Sequence, residues 1–252
     1  MAIIELRDIT KSYGSFDALR GVDLDIEEGE VTCVLGDNGA GKSTLIKILA
    51  GLHEPTSGEL LIDGSPVTFS SPRQAIDAGI ATVYQTLAVV DELSVWRNFF
   101  LGQELTGAFG VLKQEEMKRI CSEQLLEMGI DIPDVNVEAG NLSGGQRQVV
   151  AIARAVYFGA RVVVLDEPTA ALGVKQSGVV LKFIASARDR GVAIVFVTHN
   201  PHHAHMVGDH FTILKLGRQE LNASRDEVTL DELTREMSGG AELDALSHEL
   251  RN

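Results

Sequence analysis

Apolar residues occur along the chain in two kinds of pattern: short alternating or continuous runs typical of strands, and longer runs typical of helices. Gly51 ends one helical run, and Asp63-Gly64 is a typical hairpin turn between two short strands. The predicted strands are 3–9, 22–35 with a turn at 28–30, short strands within 58–70, 80–84 (buried), 162–166, 193–198 and 211–216. The predicted helices are 42–50, 113–128, 144–158 and 174–190.

The order of these elements predicts an α/β fold. Strands that alternate with helices form a parallel sheet covered by helices on both faces. Residues 94–160 are mostly helical and predict a subdomain inserted into that order. The acidic tail after Gly240 is expected to be poorly ordered.

Composition and charge narrow the function classes. The 252 residues suit one large α/β domain with a core, and the net charge of −14 argues against direct binding of nucleic acid or unaided adhesion to anionic lipid. We expect a soluble chain without a signal peptide, because no run approaches the roughly 18 apolar residues that span a bilayer. Two cysteines, Cys33 and Cys121, suit a reducing cytoplasm.

Residues 36–43 carry the pattern G-x-x-x-x-G-K-[ST] between a predicted strand and a predicted helix. In such a P-loop, backbone N–H groups surround phosphate oxygens and the helix N-terminus adds its positive dipole end. Lys42 would reach the β- and γ-phosphates, and the Ser43 hydroxyl would bind Mg²⁺. The alternative is a glycine-rich turn without a ligand, which the strand–loop–helix context disfavours.

A second acidic site follows the apolar run 162–165. Asp166 ends this run at a predicted strand tip, as the Mg²⁺-associated carboxylate of P-loop NTPases does. Glu167 comes where the strand has left the core, so it can face the γ-phosphate and polarise water. Many buried strands end in a carboxylate, so the Asp-Glu pair alone is a weak indication of a metal site. Together with the P-loop, it indicates a nucleotide-hydrolysing site.

The segment Leu142-Ser143-Gly144-Gly145-Gln146 precedes a helical run and forms a second candidate anion cradle. The chain then has two phosphate-binding loops but only one P-loop to hold a nucleotide. This suggests that the second loop contacts the nucleotide of another copy. Since LSGGQ is the signature of ABC (ATP-binding cassette) ATPases, the chain resembles that family over nearly its whole length. A generic glycine-rich helix cap is the alternative.

The resemblance implies a P-loop NTPase core with a RecA-like parallel sheet, an antiparallel β subdomain and an inserted α-helical subdomain. It implies one ABC ATPase domain over 1–252, with the core in 1–92 and 160–252 and the helical subdomain in 93–159. Gln85 is expected to contact Mg²⁺ and the attacking water, and His199 to contact the γ-phosphate. Tyr13 is expected to stack on adenine, although a plain strand-end tyrosine is the alternative.

The resemblance assigns the site residues for two cofactors, ATP and Mg²⁺. The expected catalytic residues are Glu167, His199 and Gln85, and the expected metal ligands are Ser43, Gln85 and Asp166. The expected nucleotide-binding residues are Tyr13, Gly36, Asp37, Asn38, Gly39, Ala40, Gly41, Lys42, Ser43, Thr44, Ser143, Gly144, Gly145 and Gln146.

Gly173 departs from the family pattern, because the family usually has an aspartate in the loop after the Glu167 strand. The missing aspartate puts in doubt the contact that it would make across a dimer of cassettes. It does not change the expected phosphate and metal ligands. The histidines of 199–210 suggest a candidate zinc site. Asn200-Pro201 is typical of a helix N-cap followed by proline at the first helical position, so His202 and His205 would lie on one face of that helix. No cysteine lies nearby and solvated helix positions explain these histidines, so metal binding is disfavoured.

Phrases at 54–58, 93–98 and 166–173 resemble the ATPases of bacterial ribose-, xylose- and fructose-type sugar importers. The implied partners are a second cassette, in a homodimer, and membrane permease subunits, with a periplasmic sugar-binding protein acting indirectly and no nucleic acid. The implied place is the cytoplasmic face of the cell membrane, as a peripheral subunit. Trp96, Phe99 and Phe100 are candidates for contacting the permease or for the core of the helical subdomain.

Four alternatives compete with this interpretation. The first is an importer ATPase for another solute. A soluble DNA-repair or chromosome clamp would carry long coiled-coil insertions between Gln85 and Ser143, and a translation-associated protein would have two cassettes and basic linkers. A nucleotide-gated scaffold that does not hydrolyse ATP is disfavoured by Glu167 and His199 together.

Overall fold

The computed structural model describes residues 2–238, so the tail after Gly240 lies outside the described residues. The strands are β1 Ala2–Tyr13, β2 Phe16–Glu27, β3 Val31–Leu35, β4 Ser57–Ile62, β5 Ser65–Val67, β6 Ile80–Val83, β7 Val162–Asp166, β8 Ala193–Thr198, β9 His210–Lys215 and β10 Arg218–Ser224. The helices are α1 Lys42–Leu49, α2 Pro72–Asp77, α3 Val95–Phe100, α4 Gln114–Glu127, α5 Gly144–Tyr157, α6 Val174–Asp189, α7 Pro201–Val207 and α8 Leu230–Met237, with short 3₁₀ helices at Ala108–Gly110 and Ala139–Asn141.

The strands form two sheets. One has six strands in the order β10-β9-β3-β8-β7-β6, and the pairs β9–β3, β3–β8, β8–β7 and β7–β6 are parallel. The other has four antiparallel strands in the order β2-β1-β4-β5. The predicted α/β fold with a parallel core and an antiparallel β unit is therefore confirmed.

The central parallel strands β3, β7 and β8 are mostly apolar because both faces of their sheet are covered. Val162 and Val164 of β7 belong to a core shared with β1, β2 and α1, whereas Val163 and Leu165 belong to a core shared with α3–α6. This alternation is the two-residue period of a strand. The carboxyl ends of β3, β8, β7 and β6 consequently meet at one edge, where the predicted site residues follow.

The structure also contains elements that the sequence pattern did not predict. Strands β1 and β2 extend to a tight hairpin in which Tyr13 pairs with Phe16 and Gly14 has a φ of 62°. Strand β10 alternates exposed and half-buried positions at the sheet edge, so it lacks a strong apolar run. Helices α2 and α8 are short and polar. The strand predicted at 80–84 as buried is the edge strand β6, and only its two end residues, Ile80 and Val83, are buried.

Of the two alternatives for Trp96, Phe99 and Phe100, contact with a permease or the core of the helical subdomain, the structure supports the core. All three are buried on α3. The ring of Phe99 lies 5.3 Å from Tyr157, and the ring of Phe100 lies 5.7 Å from Phe158, centroid to centroid. Burial of such large aromatic surfaces fastens α3 to the end of α5.

Candidate functional site

The loop between β3 and α1 is a tight cradle that only glycine can build. Gly36, Gly39 and Gly41 have φ values of 145°, 87° and 113°, in the region that other residues rarely adopt. A Cβ on Gly41 would also lie 2.8 Å from the Ala18 carbonyl oxygen. Asp37, Asn38, Ser43 and Thr44 line the cavity at this loop, and Ala40 N donates to Asp37 O.

Lys42 begins α1 and turns its side chain back into the loop. Its Nζ donates to Gly36 O at 2.6 Å and to Asp37 O at 3.1 Å, and the residue is 7% exposed. Burial lowers the pKa of Lys42, and the charges of Glu167, Asp37 and Asp166 oppose that shift. An ammonium has three N–H donors, so the third remains for a phosphate at the cradle.

The acidic pair lies beside this lysine. Asp166 ends β7, and Glu167 follows with a φ of 50° while its N–H donates to Val197 O at 2.9 Å. Glu167 Oε1 lies 3.9 Å from Lys42 Nζ. Burial raises the pKa of Asp166, the charge of Glu167 adds to the rise, and Lys42 opposes it.

His199 reaches the same glutamate from the neighbouring strand. Its Nδ1 lies 2.9 Å from Glu167 Oε1, and Thr198 Oγ1 donates to Glu167 Oε2 at 3.4 Å. The His199 side chain is 58% exposed and faces open space on one side. The structure thus brings Lys42, Asp166, Glu167 and His199 to one edge of the sheet, and Thr198 is a contact that the sequence did not predict.

The oxygen donors expected for a metal come from three segments at that edge. Ser43 lies on α1 after the cradle, Asp166 ends β7, and Gln85 follows β6, the strand paired with β7. A hydroxyl, an amide oxygen and a carboxylate are hard ligands that Mg²⁺ prefers. The donor set therefore fits Mg²⁺, and Asp166 is a partly buried carboxylate whose charged form a cation would stabilise.

The signature segment has a well-defined local geometry. Ser143 caps α5, since Ser143 Oγ accepts from Gln146 N at 3.3 Å and Gln146 Oε1 accepts from Ser143 N at 3.0 Å. A Cβ on Gly144 would lie 2.8 Å from Leu172 Cδ2, and one on Gly145 would lie 3.0 Å from Gln176 O. The contact at Gly145 is with backbone, so a side chain there would push α5 away from the start of α6, whereas the contact at Gly144 is with the flexible end of the Leu172 side chain.

The signature segment and the P-loop line different cavities of the chain. The cavity at the signature is formed with Asp131, Lys175 and Gln176, and the cavity at the P-loop with Phe16 and Ala18. Within one chain the structure does not bring Ser143, Gly144, Gly145 and Gln146 to the nucleotide cradle.

Two aromatic residues, Tyr13 and Phe16, flank the turn between β1 and β2. Tyr13, expected to stack on adenine, is 42% exposed, and its ring lies 5.7 Å from His53 and 5.4 Å from Lys11 Nζ. Phe16 is 60% exposed and lines the P-loop cavity, which sequence reasoning missed. The available signal was a second aromatic residue directly after the Gly14-Ser15 turn.

The histidines after β8 serve separate contacts. Besides His199 at Glu167, His203 Nδ1 lies 2.9 Å from Thr169 Oγ1, His205 stacks on Phe211, and His210 Nε2 lies 2.6 Å from Asn222 Oδ1. Within residues 2–238, no group of three or more His, Cys, Asp or Glu side chains is arranged to hold a metal ion. The zinc interpretation therefore has no support in the described part of the chain.

Gly173 is the N-cap residue of α6. Its φ of −68° and ψ of 160° are open to any residue, and a Cβ there would meet nothing within 4 Å. No side chain caps this helix end. The position expected to hold an aspartate could thus accept one without a clash.

A parallel sheet with a P-loop, a strand-end Asp-Glu pair and a signature helix defines a nucleotide-binding cassette of the P-loop class. The model of the ABC transporter family matches residues 19–170, more than half of the chain. The chain belongs to this family, as an ATP-binding cassette.

Similar proteins and structures support the same assignment. The chain is 42% identical over 240 residues to the xylose/arabinose import ATP-binding protein XylG of Sulfolobus acidocaldarius, and 42% identical over 247 residues to the fructose import ATP-binding protein FrcA of Rhizobium meliloti. Each match covers 95% of both chains. A dimeric cassette solved in a post-hydrolysis state with ADP and Pi is 30% identical, with a TM-score of 0.72 over 88% of this chain and 98% of that chain.

None of the helices in residues 2–238 combines the length and the apolar character that crossing a bilayer requires.

Proposed function

We propose that this chain is the ATP-hydrolysing subunit of an ABC importer for a sugar such as xylose, arabinose, fructose or ribose. The observation that carries the proposal is the convergence of Lys42, Asp166, Glu167 and His199 at the P-loop edge. The sugar class rests on the two relatives that are named as import ATP-binding proteins for such sugars. We also propose that residues 93–159 form a helical subdomain that carries the signature segment.

Each residue at the edge has a distinct role in the proposed hydrolysis. Lys42 offers its third N–H donor to the β- and γ-phosphates, and the cradle N–H groups hold the remaining oxygens. Glu167 orients and polarises the attacking water, because it is a carboxylate held beside the cradle by His199 and Thr198. His199 contacts the γ-phosphate from its exposed side. Tyr13 and Phe16 offer aromatic faces for the base.

Ser43, Gln85 and Asp166 are the proposed ligands of Mg²⁺. The bound ion would neutralise charge on the phosphates as the bond to the γ-phosphate breaks. Asp166 would be held ionised by that ion, against the burial that raises its pKa.

A complete site is proposed to need two cassettes. The signature segment lies in a cavity separate from the P-loop, so the N-terminus of α5 can face the phosphates of a partner chain. Dimerisation of a similar cassette supports this proposal. ATP that binds the closed dimer more tightly than the open one drives closure, and hydrolysis removes that drive.

The membrane subunit is proposed to dock in a groove between β6 and α5. Tyr84, Val89, Gln103 and Arg154 are among the residues that line it. This groove replaces the buried α3 aromatics as the proposed contact surface, and Ala88 and Val89, which follow Gln85, also line it. Such docking would hold the chain at the cytoplasmic face of the cell membrane, where the permease receives a sugar from an external binding protein.

Dimerisation of a trapped variant tests this proposal. Glu167→Gln with Mg-ATP should form a dimer with two ATP molecules per dimer, whereas the ADP form should be largely monomeric. ATP at about 100 times its dissociation constant contributes about 2.7 kcal/mol per site to the closed form. Light scattering measures the mass, and bound nucleotide is counted after gel filtration.

Ser143→Arg added to the trapped variant is the matched control. It places a bulky cation at the signature segment and leaves the P-loop of the same chain intact. The dimer should dissociate while each chain still binds ATP. A dimer that survives Ser143→Arg would contradict a signature-mediated interface, and a trapped variant that stays monomeric at high concentration would contradict the homodimer.

A further inference from the structure

A second histidine links the segment after β7 to the helix after β8. His203 Nδ1 on α7 lies 2.9 Å from Thr169 Oγ1, across 34 positions of sequence. The two segments are also joined by the contact between His199 and Glu167. The first link is half-buried, whereas His199 is 58% exposed at the face where substrate would bind.

The segment that Thr169 belongs to is held in a strained shape. Glu167 has a φ of 50° and Ala171 a φ of 58°, although neither is glycine. Such conformations are unfavourable for residues other than glycine and persist only where the surroundings enforce them. The backbone bonds of Glu167 N to Val197 O and of Ala170 N to Glu167 O hold one side of the segment.

Thr169 supplies the restraint on the other side. It is 5% exposed, so its hydroxyl needs a partner inside the protein. Within the described chain, the bond to His203 is the side-chain hydrogen bond that the structure gives to residues 168–173. Loss of His203 would leave a buried hydroxyl without a partner at the base of a strained turn.

His203 is itself held rigidly enough to position another residue. Its backbone N–H donates to Asn200 Oδ1 at 3.1 Å, which caps α7, and Pro201 fixes the first helical position. Burial lowers the pKa of His203, and His202 and His199 add to that shift, so the ring is a neutral hydrogen-bonding partner at neutral pH.

We propose that His203 is a positioning residue for ATP hydrolysis, which acts through Thr169 to hold the turn that carries Glu167. This inference rests on the proposed role of Glu167. When His199 turns from Glu167 towards the γ-phosphate, its link between the two segments is lost. The bond between His203 and Thr169, together with the longer contact of Thr198 Oγ1 with Glu167 Oε2 at 3.4 Å, then keeps Glu167 aimed at the attacking water.

Steady-state hydrolysis by the full chain, together with ATP affinity and melting temperature, tests the role. His203→Ala and Thr169→Val should each lower kcat by roughly 5- to 30-fold, the factor that corresponds to one buried hydrogen bond. The KM and the dissociation constant for ATP should stay within about twofold. The double variant should be no slower than the slower single variant, since both remove the same bond.

Rescue variants and a neighbour separate positioning from general damage. Asn at 203 places an amide nitrogen or oxygen close to the Nδ1 position, and Ser at 169 keeps the hydroxyl, so His203→Asn and Thr169→Ser should retain most of the turnover. His202→Gln changes an exposed histidine of the same helix turn and should leave kcat unchanged. Thr169→Val should also shift the ¹⁵N resonances of the His203 ring, whereas His202→Gln should not.

Three results would overturn the inference. The first is a kcat of His203→Ala equal to that of the unmodified chain. The second is a fall in ATP affinity and melting temperature in step with kcat, which would mean a merely structural contact. The third is a double variant in which kcat falls by the product of the two single-variant factors, because independent effects on the activation free energy would add. If His203→Ala does not fold, equal turnover in Thr169→Val and Thr169→Ser overturns it.

The inference and the proposed function fail in different ways. Full turnover in Glu167→Gln would refute the role of Glu167, and with it any positioning of that residue. A large loss in Glu167→Gln together with normal turnover in His203→Ala would refute the positioning role alone.

Discussion

His199 Nδ1 lies 2.9 Å from Glu167 Oε1, although 32 positions separate the two residues in the chain. The contact arises because β7 and β8 are parallel neighbours and both end at the same edge of the sheet. Glu167 follows β7 directly and His199 follows β8 directly, so their side chains meet beside the P-loop. A carboxylate in this position is oriented by its partners before any substrate binds.

The first prediction concerns Glu167 as the group that polarises water. Glu167→Gln keeps the size of the side chain and removes its basicity, so it should retain ATP binding and reduce hydrolysis by roughly 10²–10⁴-fold. Phosphate release and nucleotide affinity measure the two effects. Glu220→Gln, an exposed glutamate on β10, is the control and should leave both unchanged. Loss of ATP binding with normal turnover of bound ATP would instead assign Glu167 to the metal.

The second prediction concerns Lys42. Lys42→Ala removes the ammonium that bonds to Gly36 O and Asp37 O and that faces the phosphates, so hydrolysis should be abolished and ATP affinity reduced. Equilibrium binding of a fluorescent ATP analogue checks the affinity. Lys47→Ala on the exposed face of α1 is the matched control and should bind normally. Tight binding and full turnover in Lys42→Ala would mean that the P-loop assignment is wrong.

The third prediction concerns Gly173 at the start of α6. Gly173→Asp adds an N-cap acceptor and a charge suited to the helix dipole, and the Cβ has open space, so stability should rise by a few tenths of a kcal/mol. Thermal unfolding should show a rise on the order of 1 °C. Gly173→Ala has no acceptor and should show no gain.

Activity of the same variant tests whether the native site is complete. Gly173→Asp should change hydrolysis less than Ser143→Arg, because Gly173 is not among the phosphate or metal ligands. A rise in activity by orders of magnitude would show that the native site is degenerate and needs a second, competent cassette.

The fourth prediction concerns Arg154 in the groove beside β6. Its Nη2 donates to Leu101 O at 2.6 Å, which ties α5 to the end of α3 in the groove wall. Arg154→Ala should leave ATP affinity unchanged and reduce the stimulation of hydrolysis by the permease in reconstituted membranes. Arg119→Ala, which removes an exposed pair with Glu123 on α4, is the control. Equal stimulation in both variants would contradict docking in this groove.

Contiguous motifs made most of the nucleotide site predictable from the sequence. The eight residues 36–43 form their cradle from consecutive backbone groups, and Ser143 caps α5 through a residue only three positions away. The strands β3, β7 and β8 are predictable because a strand buried on both faces is a nearly continuous apolar run. Local chemistry therefore identified Lys42, Asp166 and the signature segment.

Elements with weak apolar patterns could not be predicted in the same way. The edge strand β10 is stabilised by pairing with β9, and α8 by a capping box and a single buried leucine, Leu233. The apolar residues of α3 were compatible with either core or interface, because hydrophobicity alone does not say which partner covers a side chain. Contact with Tyr157 and Phe158 decided for the core.

By itself the sequence determined that this chain is an ATP-binding cassette, because phosphate cradles and helix caps depend on residues that are adjacent in the chain. Only the tertiary structure decided that Glu167 is held by His199 and Thr198, that Thr169 is held by His203, and that Phe16 lines the cradle. These contacts join segments tens of residues apart, and they exist because the order of strands in the sheet, which no local pattern encodes, brings those segments together.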